Sequence, residues 1–271
     1  MDRFEVDGST LGCQTTGTGA PVIFVHGSAG SARQWKRLYE HFAPTRRVFA
    51  FDLDGYGANP PWPAERTFAW MNDARAIGAA IDLLGAPVDI VAHSAGSLGT
   101  LLAARDRPEA IRSITVFEPV LFDILRTYDQ DAFAPVGAYA RRYREMFEAA
   151  GDAAAMEGFV DFWNGPGSWP QLPEPVRRSM VAAAGRLHQE WGLVLTAPPL
   201  FTLDGFAAIR PPVLYFCGTD TIAPVKRIAE IVAPALPDCR LVPIPGAGHM
   251  GPFTHAAAVT AAIAAHLDAA R

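Results

Sequence analysis

A serine in a tight turn between a strand and a helix is the strongest chemical signal in this sequence. The segment IVAHSAGSL (residues 90–98) takes a buried apolar run into small-x-Ser-x-Gly at 92–96, and a helical pattern follows at once. This is typical of a nucleophile elbow, a strained turn that exposes a serine hydroxyl at the N-terminus of a helix. We therefore interpret Ser94 as a nucleophile. The alternative is a simple helix cap, and Ala92 stands where glycine is more usual.

A serine hydroxyl is a weak nucleophile until a base takes its proton, and His249 is the histidine best placed to act as that base. The segment PIPGAGHMGPF (243–253) puts it in a Gly-rich loop between the last predicted strand and the last predicted helix. That loop lies at the carboxyl edge of the predicted sheet, where Ser94 also falls and where α/β folds place their sites. His93, inside the tight turn, is expected to pack there.

The base needs a carboxylate that fixes its tautomer, and Asp220 is our first choice. The segment YFCGTDTIAP (215–224) ends a strand-like run with Gly-Thr-Asp, so that Asp220 falls on a loop at the same edge. A helix cap is the alternative role for this aspartate. Glu118 and Asp123 are the rival acids, and Glu118 directly follows a strand from which it could also face the histidine.

The loop after the first buried strand could complete the site. In FVHGSAGSARQW (24–35), His26-Gly27 lets the backbone turn sharply and exposes the N–H of Ser28. Together with the N–H of Ala95, it could stabilise the oxyanion of a tetrahedral intermediate. His26 and Gly27 are then structural residues of this loop. The loop has neither G-x-G-x-x-G nor a G-K-[ST] ending, which excludes a dinucleotide or phosphate loop.

The elements that position these residues alternate between strand and helix. Apolar runs at 21–27, 46–52, 87–94, 112–118, 212–218 and 240–245 are separated by helical patterns, which predicts an α/β fold with a mostly parallel sheet covered by helices on both faces. The segment FEVDGSTLGCQTTG (4–17) predicts an edge hairpin that turns at Asp7-Gly8. The interval 119–209 has helical patterns but no strand-like run. We therefore divide the chain into a core (1–118 and 210–271) and an inserted helical subdomain.

Composition excludes several other classes of function. The 271 residues carry a net charge of −5, and the short basic cluster at 141–144 is flanked by glutamates, so we expect no nucleic-acid partner. No apolar run reaches the ~20 residues of a membrane helix, and the N-terminus lacks a signal-peptide pattern. Three cysteines without metal or redox spacing favour a reduced, cytoplasmic protein. We expect no cofactor and no metal, and the sequence leaves the oligomeric state open.

The chain resembles the α/β-hydrolase superfamily over nearly its whole length. The matching pieces are HGSAGS (26–31), DLDGYGAN (52–59), AHSAGS (92–97), GTDTIAP (218–224) and GAGHM (246–250). The resemblance implies an acid at Asp220, a base at His249, oxyanion donors at Ser28 and Ala95, and a helical cap formed by 119–209. Dehalogenases and epoxide hydrolases of this superfamily carry an aspartate nucleophile, and Ser94 argues against both.

These observations lead to three hypotheses for the function. The first is a cofactor-free serine hydrolase that cleaves a small, partly hydrophobic ester, lactone or related acyl substrate through a Ser–His–Asp triad and an acyl-enzyme. The second is a C–C bond hydrolase for a diketone-type ring-cleavage product, which would need a cation for the substrate carboxylate, such as the arginines at 141–144 or Arg186. The third, from a different class, is a ligand-binding protein of the same fold without turnover.

Overall fold

A single mostly parallel sheet organises the molecule. The computed structural model describes residues 2–85 and 87–270. Within them the strands are β1 (Asp2–Val6), β2 (Ser9–Thr16), β3 (Ala20–Val25), β4 (Arg46–Phe51), β5 (Val88–His93), β6 (Ile111–Phe117), β7 (Val213–Gly218) and β8 (Cys239–Ile244). They lie in the order β1-β2-β4-β3-β5-β6-β7-β8. All pairs from β4 to β8 are parallel, which confirms the predicted α/β class.

The first two strands form the predicted hairpin at one edge of the sheet. They pair antiparallel from Asp2 opposite Cys13 to Val6 opposite Ser9. The turn between them has φ +48° at Asp7 and +81° at Gly8, the left-handed pair that a two-residue hairpin turn requires. Strand β2 then pairs antiparallel with β4, so the hairpin extends the parallel sheet.

Helices follow the strands as the sequence pattern predicts. They are α1 (Lys36–Phe42), α2 (Trp70–Leu84), α3 (Ala95–Asp106), α4 (Phe122–Tyr128), α5 (Gln130–Ala150), α6 (Asp152–Asn164), α7 (Glu174–Ala182), α8 (Ala184–Thr196), α9 (Ala223–Val232), α10 (Gly251–Thr254) and α11 (Ala256–Ala269), with short 3-10 turns at 32–35, 108–110, 169–171, 204–208 and 233–235. Helices α4 to α8 all lie between β6 and β7. We call residues 119–209 the helical insertion, and this segment contains no strand.

Two apolar layers cover the faces of the sheet. On β3, Val22 and Phe24 join the layer that packs under α1 and α11, whereas Ile23 and Val25 join the layer under α2 and α3. All four side chains are fully buried. Burial on both faces explains why these strands are apolar throughout instead of alternating. Helix α8 and the other helices of the insertion extend the second layer beyond the sheet edge.

No helix among the residues that the structure describes is both long and apolar enough to cross a membrane. The three cysteines, Cys13, Cys217 and Cys239, form no disulfide.

Candidate active site

Ser94 lies in the turn that links β5 to α3. Its backbone has φ +55° and ψ −125°, a conformation that costs a non-glycine residue roughly 1–3 kcal/mol. The surrounding structure holds this turn in place, because the Ser94 N–H donates to the carbonyl of Phe117 at 2.9 Å. A Cβ at Gly96 would lie 2.3 Å from the carbonyl oxygen of His26, so the second small position of the motif admits only glycine.

His249 connects Ser94 to a carboxylate. The Nε2 atom of His249 lies 3.0 Å from Ser94 Oγ, and its Nδ1 atom lies 2.7 Å from Glu118 Oε2. A carboxylate can only accept, so Nδ1 carries the proton and Nε2 is free to accept from the serine hydroxyl. All three side chains are buried. The arrangement is that of an activated serine with its base and an orienting acid.

Glu118 occupies the place for which Asp220 was the first choice, and this corrects the expected acid. The Glu118 side chain is fully buried. Its Oε1 accepts from the N–H of Gly218 at 2.8 Å, and its Oε2 accepts from the hydroxyl of Thr221 at 2.9 Å as well as from His249. The backbone of Glu118 has φ +48°, which turns the chain at the end of β6 and brings the carboxylate under the histidine.

The Asp220 side chain is exposed and accepts a hydrogen bond from its neighbour Thr219 at 3.1 Å. Its backbone N–H donates to the carbonyl of Ala247 at 2.9 Å, so the residue supports the histidine loop through its main chain. The other rival, Asp123, is buried in α4 and accepts from the N–H of Leu200 at 2.7 Å. Burial raises the pKa of that carboxyl. It stabilises the helical insertion and does not contact His249.

The loop after β3 lies against the serine. A Cβ at Gly27 would lie 2.8 Å from Ser94 Cβ, so glycine is required for the close approach. The next residue, Ser28, borders the same cavities as Ser94. Ala95 is the first residue of α3, where a backbone N–H has no carbonyl partner inside the helix. Both predicted oxyanion donors therefore belong to elements that meet at the serine.

Two further histidines hold the loops around Ser94. His26 accepts from the N–H of Leu53 at Nε2 (2.9 Å), and its Nδ1 lies 2.7 Å from the carbonyl of Gly27. Burial lowers the pKa of His26 to about 4, which keeps this ring neutral. His93 donates from Nε2 to the carbonyl of His249 at 2.9 Å. Burial, and then the neighbouring His249, hold the pKa of His93 well below its usual value.

A buried ionic network ties the helical insertion to the loop that carries Ser28. Arg186 of α8 is fully buried, binds both carboxylate oxygens of Asp73 (2.8 and 2.7 Å) and donates to Glu190 at 3.0 Å. Glu190 also accepts from Ser28 Oγ at 2.5 Å and from Tyr56 at 2.7 Å. Burial raises the pKa of Asp73 to about 6, although Arg186 opposes the shift. This network fixes α8 beside the serine.

Trp163 of α6 covers the histidine. Its ring stacks on that of His249 with centroids 3.7 Å apart and planes inclined by 18°. Ser94 and Trp163 both border two cavities. The inner cavity has a volume of about 30 Å³ and is lined by Ser28, Ser94, Glu190 and eight apolar side chains. The outer cavity, about 730 Å³, is bordered by His249 and by the loop that carries Ser28.

A match to a family model covers most of this architecture. The model of the alpha/beta hydrolase family matches residues 22–263. The chain belongs to this family. Among curated relatives, a haloalkane dehalogenase from Sphingobium indicum is 33% identical, over 73% of this chain and 76% of the relative. The resemblance inferred from the sequence motifs is confirmed.

Solved structures of hydrolases share the fold. A thermophilic esterase from Thermogutta terrifontis superposes with a TM-score of 0.77 at 22% identity and covers 100% of this chain and 99% of its own. The enol-lactonase from Burkholderia xenovorans LB400 gives a TM-score of 0.75 at 17% identity, over 98% of this chain and 100% of its own. At these identities the likeness shows the fold alone.

Sequence reasoning ranked one acid too low and missed two contacts. The sequence pattern favours Asp220 over Glu118, and no local motif indicates the contacts of Trp163 or Glu190. Glu118 did have a signal, since it directly follows the strand next to the nucleophile's own strand. Residues 2–85 and 87–270 contain no group of three or more His, Cys, Asp or Glu side chains that could hold a metal ion.

Proposed function

We propose that this protein is a serine hydrolase that cleaves carboxylic esters, lactones or related acyl substrates through an acyl-enzyme. The observation that carries the proposal is the continuous chain of contacts from Ser94 Oγ through His249 to Glu118, at 3.0 and 2.7 Å. Membership of a hydrolase family supports the same reaction class. The serine at the nucleophile position argues against the dehalogenase chemistry named for one relative, because dehalogenases of this family use an aspartate.

In the proposed reaction Ser94 Oγ attacks the acyl carbon while its proton passes to His249 Nε2. The N–H groups of Ser28 and Ala95 bind the oxyanion that forms. His249 then gives the proton to the leaving oxygen, the C–O bond breaks, and an acyl-enzyme remains. Water then attacks the acyl carbon while His249 takes its proton, the bond from the acyl carbon to Ser94 Oγ breaks, and His249 returns the proton to Ser94 Oγ as the acid leaves. Glu118 accepts the Nδ1–H throughout and stabilises the imidazolium.

Two contacts support an interpretation of the helical insertion as a cap over this site. Trp163 stacks on the base, and Glu190 bonds the side chain of Ser28. We propose that residues 119–209 form a cap domain that excludes water and shapes the substrate pocket. We also keep the prediction of a cytoplasmic enzyme that acts on a small molecule. Its support is the three unpaired cysteines and the acidic overall charge.

The two alternative functions have less support. A C–C hydrolase would need a cation for the substrate carboxylate, but Arg186 is already bound by Asp73 and Glu190. Arg141 and Arg142 are exposed on α5, away from the residues that border either cavity. A protein that only binds ligand would have no need for a buried serine, base and acid in contact.

Labelling with a fluorophosphonate tests the proposal directly. We expect a single adduct on Ser94, mapped by mass spectrometry, with loss of p-nitrophenyl acetate hydrolysis in parallel. Ser94→Ala removes only the hydroxyl, so it should give no adduct and no turnover while it keeps the folded circular dichroism spectrum. If the folded wild-type protein takes no label and hydrolyses no ester, the binding-protein reading replaces this one.

A further inference from the structure

The two cavities divide the site around Ser94 into unequal halves. Ser94 borders both, whereas His249 borders the outer cavity and is absent from the lining of the inner one. This asymmetry assigns the two parts of an ester, an inference that rests on the proposed hydrolase function.

The position of the base decides which part of the ester enters which cavity. The leaving oxygen must receive its proton from His249 Nε2, so the alcohol part has to lie on the histidine side of the serine. That side is the outer cavity. The remaining substituent of the acyl carbon points away from the histidine, into the inner cavity.

The two cavities differ greatly in volume. The outer cavity measures about 730 Å³ and the inner one about 30 Å³. One water molecule needs on the order of 10–15 Å³ by such a measure. The inner cavity therefore has room for a methyl or ethyl group and for little more.

The lining of the inner cavity favours an apolar acyl group. Its one ionisable side chain, Glu190, already accepts from Ser28, Tyr56 and Arg186. The carboxylate is therefore part of the wall. The other lining side chains include Leu187 and Val194 of α8, a helix whose position is fixed by the Arg186 network. The hydrogen bonds of Arg186 hold the wall on this side.

We propose that the enzyme selects esters of short apolar acyl groups, acetyl or propionyl, joined to bulky alcohols. The inner cavity then limits the length of the acyl group, and the outer cavity accommodates a range of alcohols.

The first test is a series of p-nitrophenyl esters from acetate to octanoate. A methylene that a pocket cannot accommodate lowers kcat/KM by roughly tenfold or more, so we expect kcat/KM to fall at least about a hundredfold between acetate and hexanoate. The acetates of phenol and of the larger α-naphthol, two alcohols of similar acidity, should differ in kcat/KM by less than about fivefold, since the outer cavity is wide. Equal kcat/KM for acetate and hexanoate would overturn the proposal.

A matched pair of substitutions then tests which of the two cavities selects acyl length. Leu187 borders only the inner cavity and Leu172 only the outer one. We expect Leu187→Ala to raise the ratio of butyrate to acetate kcat/KM by about tenfold or more. Leu172→Ala should change kcat/KM by one common factor for every acyl length. Because Leu187 is buried and its truncation creates a cavity, Val194→Ala serves as the milder second variant and should shift the ratio in the same direction.

These outcomes separate the two proposals. If no ester is hydrolysed and Ser94 takes no fluorophosphonate, the hydrolase function itself fails. If Ser94 is labelled and esters are turned over, but both α8 variants leave the acyl-length profile unchanged or Leu172→Ala shifts it equally, only the assignment of the inner cavity fails.

Discussion

Strands β6 and β7 are neighbours in the sheet, and each is followed within two residues by a carboxylate, yet the two carboxylates lie in opposite environments. Glu118 after β6 is fully buried and accepts from Gly218, Thr221 and His249. Asp220 after β7 is exposed and bonds only the adjacent hydroxyl of Thr219 among the described side chains. A position at the carboxyl edge of the sheet is therefore not enough to bring a carboxylate into contact with His249.

The difference arises from the backbone. Glu118 adopts φ +48°, which turns its side chain back beneath the sheet edge at a cost of roughly 1–3 kcal/mol. Three donors offset that cost, and two of them come from residues 218–222, the last residue of β7 and the loop after it, which we call the β7 loop. The β7 loop thus contributes to the site through the Gly218 N–H and the Thr221 hydroxyl. Its own carboxylate remains in solvent.

Among substitutions in and around the two carboxylates, we expect Glu118→Gln to cause the greatest loss of activity. An amide can donate to Nδ1, which would favour the histidine tautomer that cannot accept from Ser94. By analogy with the loss of a triad carboxylate, we expect kcat to fall on the order of 10³–10⁴-fold. The measurement is kcat for p-nitrophenyl acetate, with thermal unfolding followed by circular dichroism to show that the variant is folded. A loss of less than about tenfold would mean that Glu118 does not orient the base.

The sequence predicted most of the fold because its signals are local. The apolar runs that became β3 to β8 are buried on both faces, and the turn at Asp7-Gly8 needs left-handed backbone that Asp and Gly tolerate. The same holds for Ser94 and its base. The strained turn at Ser94 requires small neighbouring residues, and His249 lies in a Gly-rich segment directly after the last predicted strand. Those two residues lie in contact as their motifs indicate.

The choice of acid and the contacts of the insertion are not local. Glu118 reaches His249 because the backbone adopts positive φ at the end of β6. Neither FEPVLF (117–122) nor GTDTIAP (218–224) contains a pattern that predicts at which strand end this turn occurs. Trp163 stacks on His249, which lies 86 positions later in the chain. Ser28 bonds Glu190, which lies 162 positions later. Such contacts depend on how α6 and α8 dock on the core, which periodicity does not encode.

A smaller effect is expected from Thr221→Val, which removes one hydrogen-bond donor from the buried Glu118 carboxylate. A hydrogen bond to a charged group contributes roughly 1.5–3 kcal/mol, of which part is lost from the transition state, so kcat should fall by about tenfold. The control is Thr219→Ser on the same loop, which keeps the hydroxyl that donates to Asp220 and accepts from the Gly246 N–H and does not bond Glu118. Its kcat should stay within about twofold. Equal losses in both variants would point to general loosening of the β7 loop.

The smallest effect is expected from Asp220→Asn. The side chain is exposed and its loop is held by the backbone bond to Ala247, so kcat should change by less than about twofold and the free energy of unfolding by less than about 0.5 kcal/mol. The same substitution placed in the Glu118→Gln background is the stricter test. If Asp220 can move in and replace the missing acid, the double variant will lose further activity beyond Glu118→Gln alone. No further loss is expected, because an approach by Asp220 would require the Ala247 bond to break and the β7 loop to refold around His249.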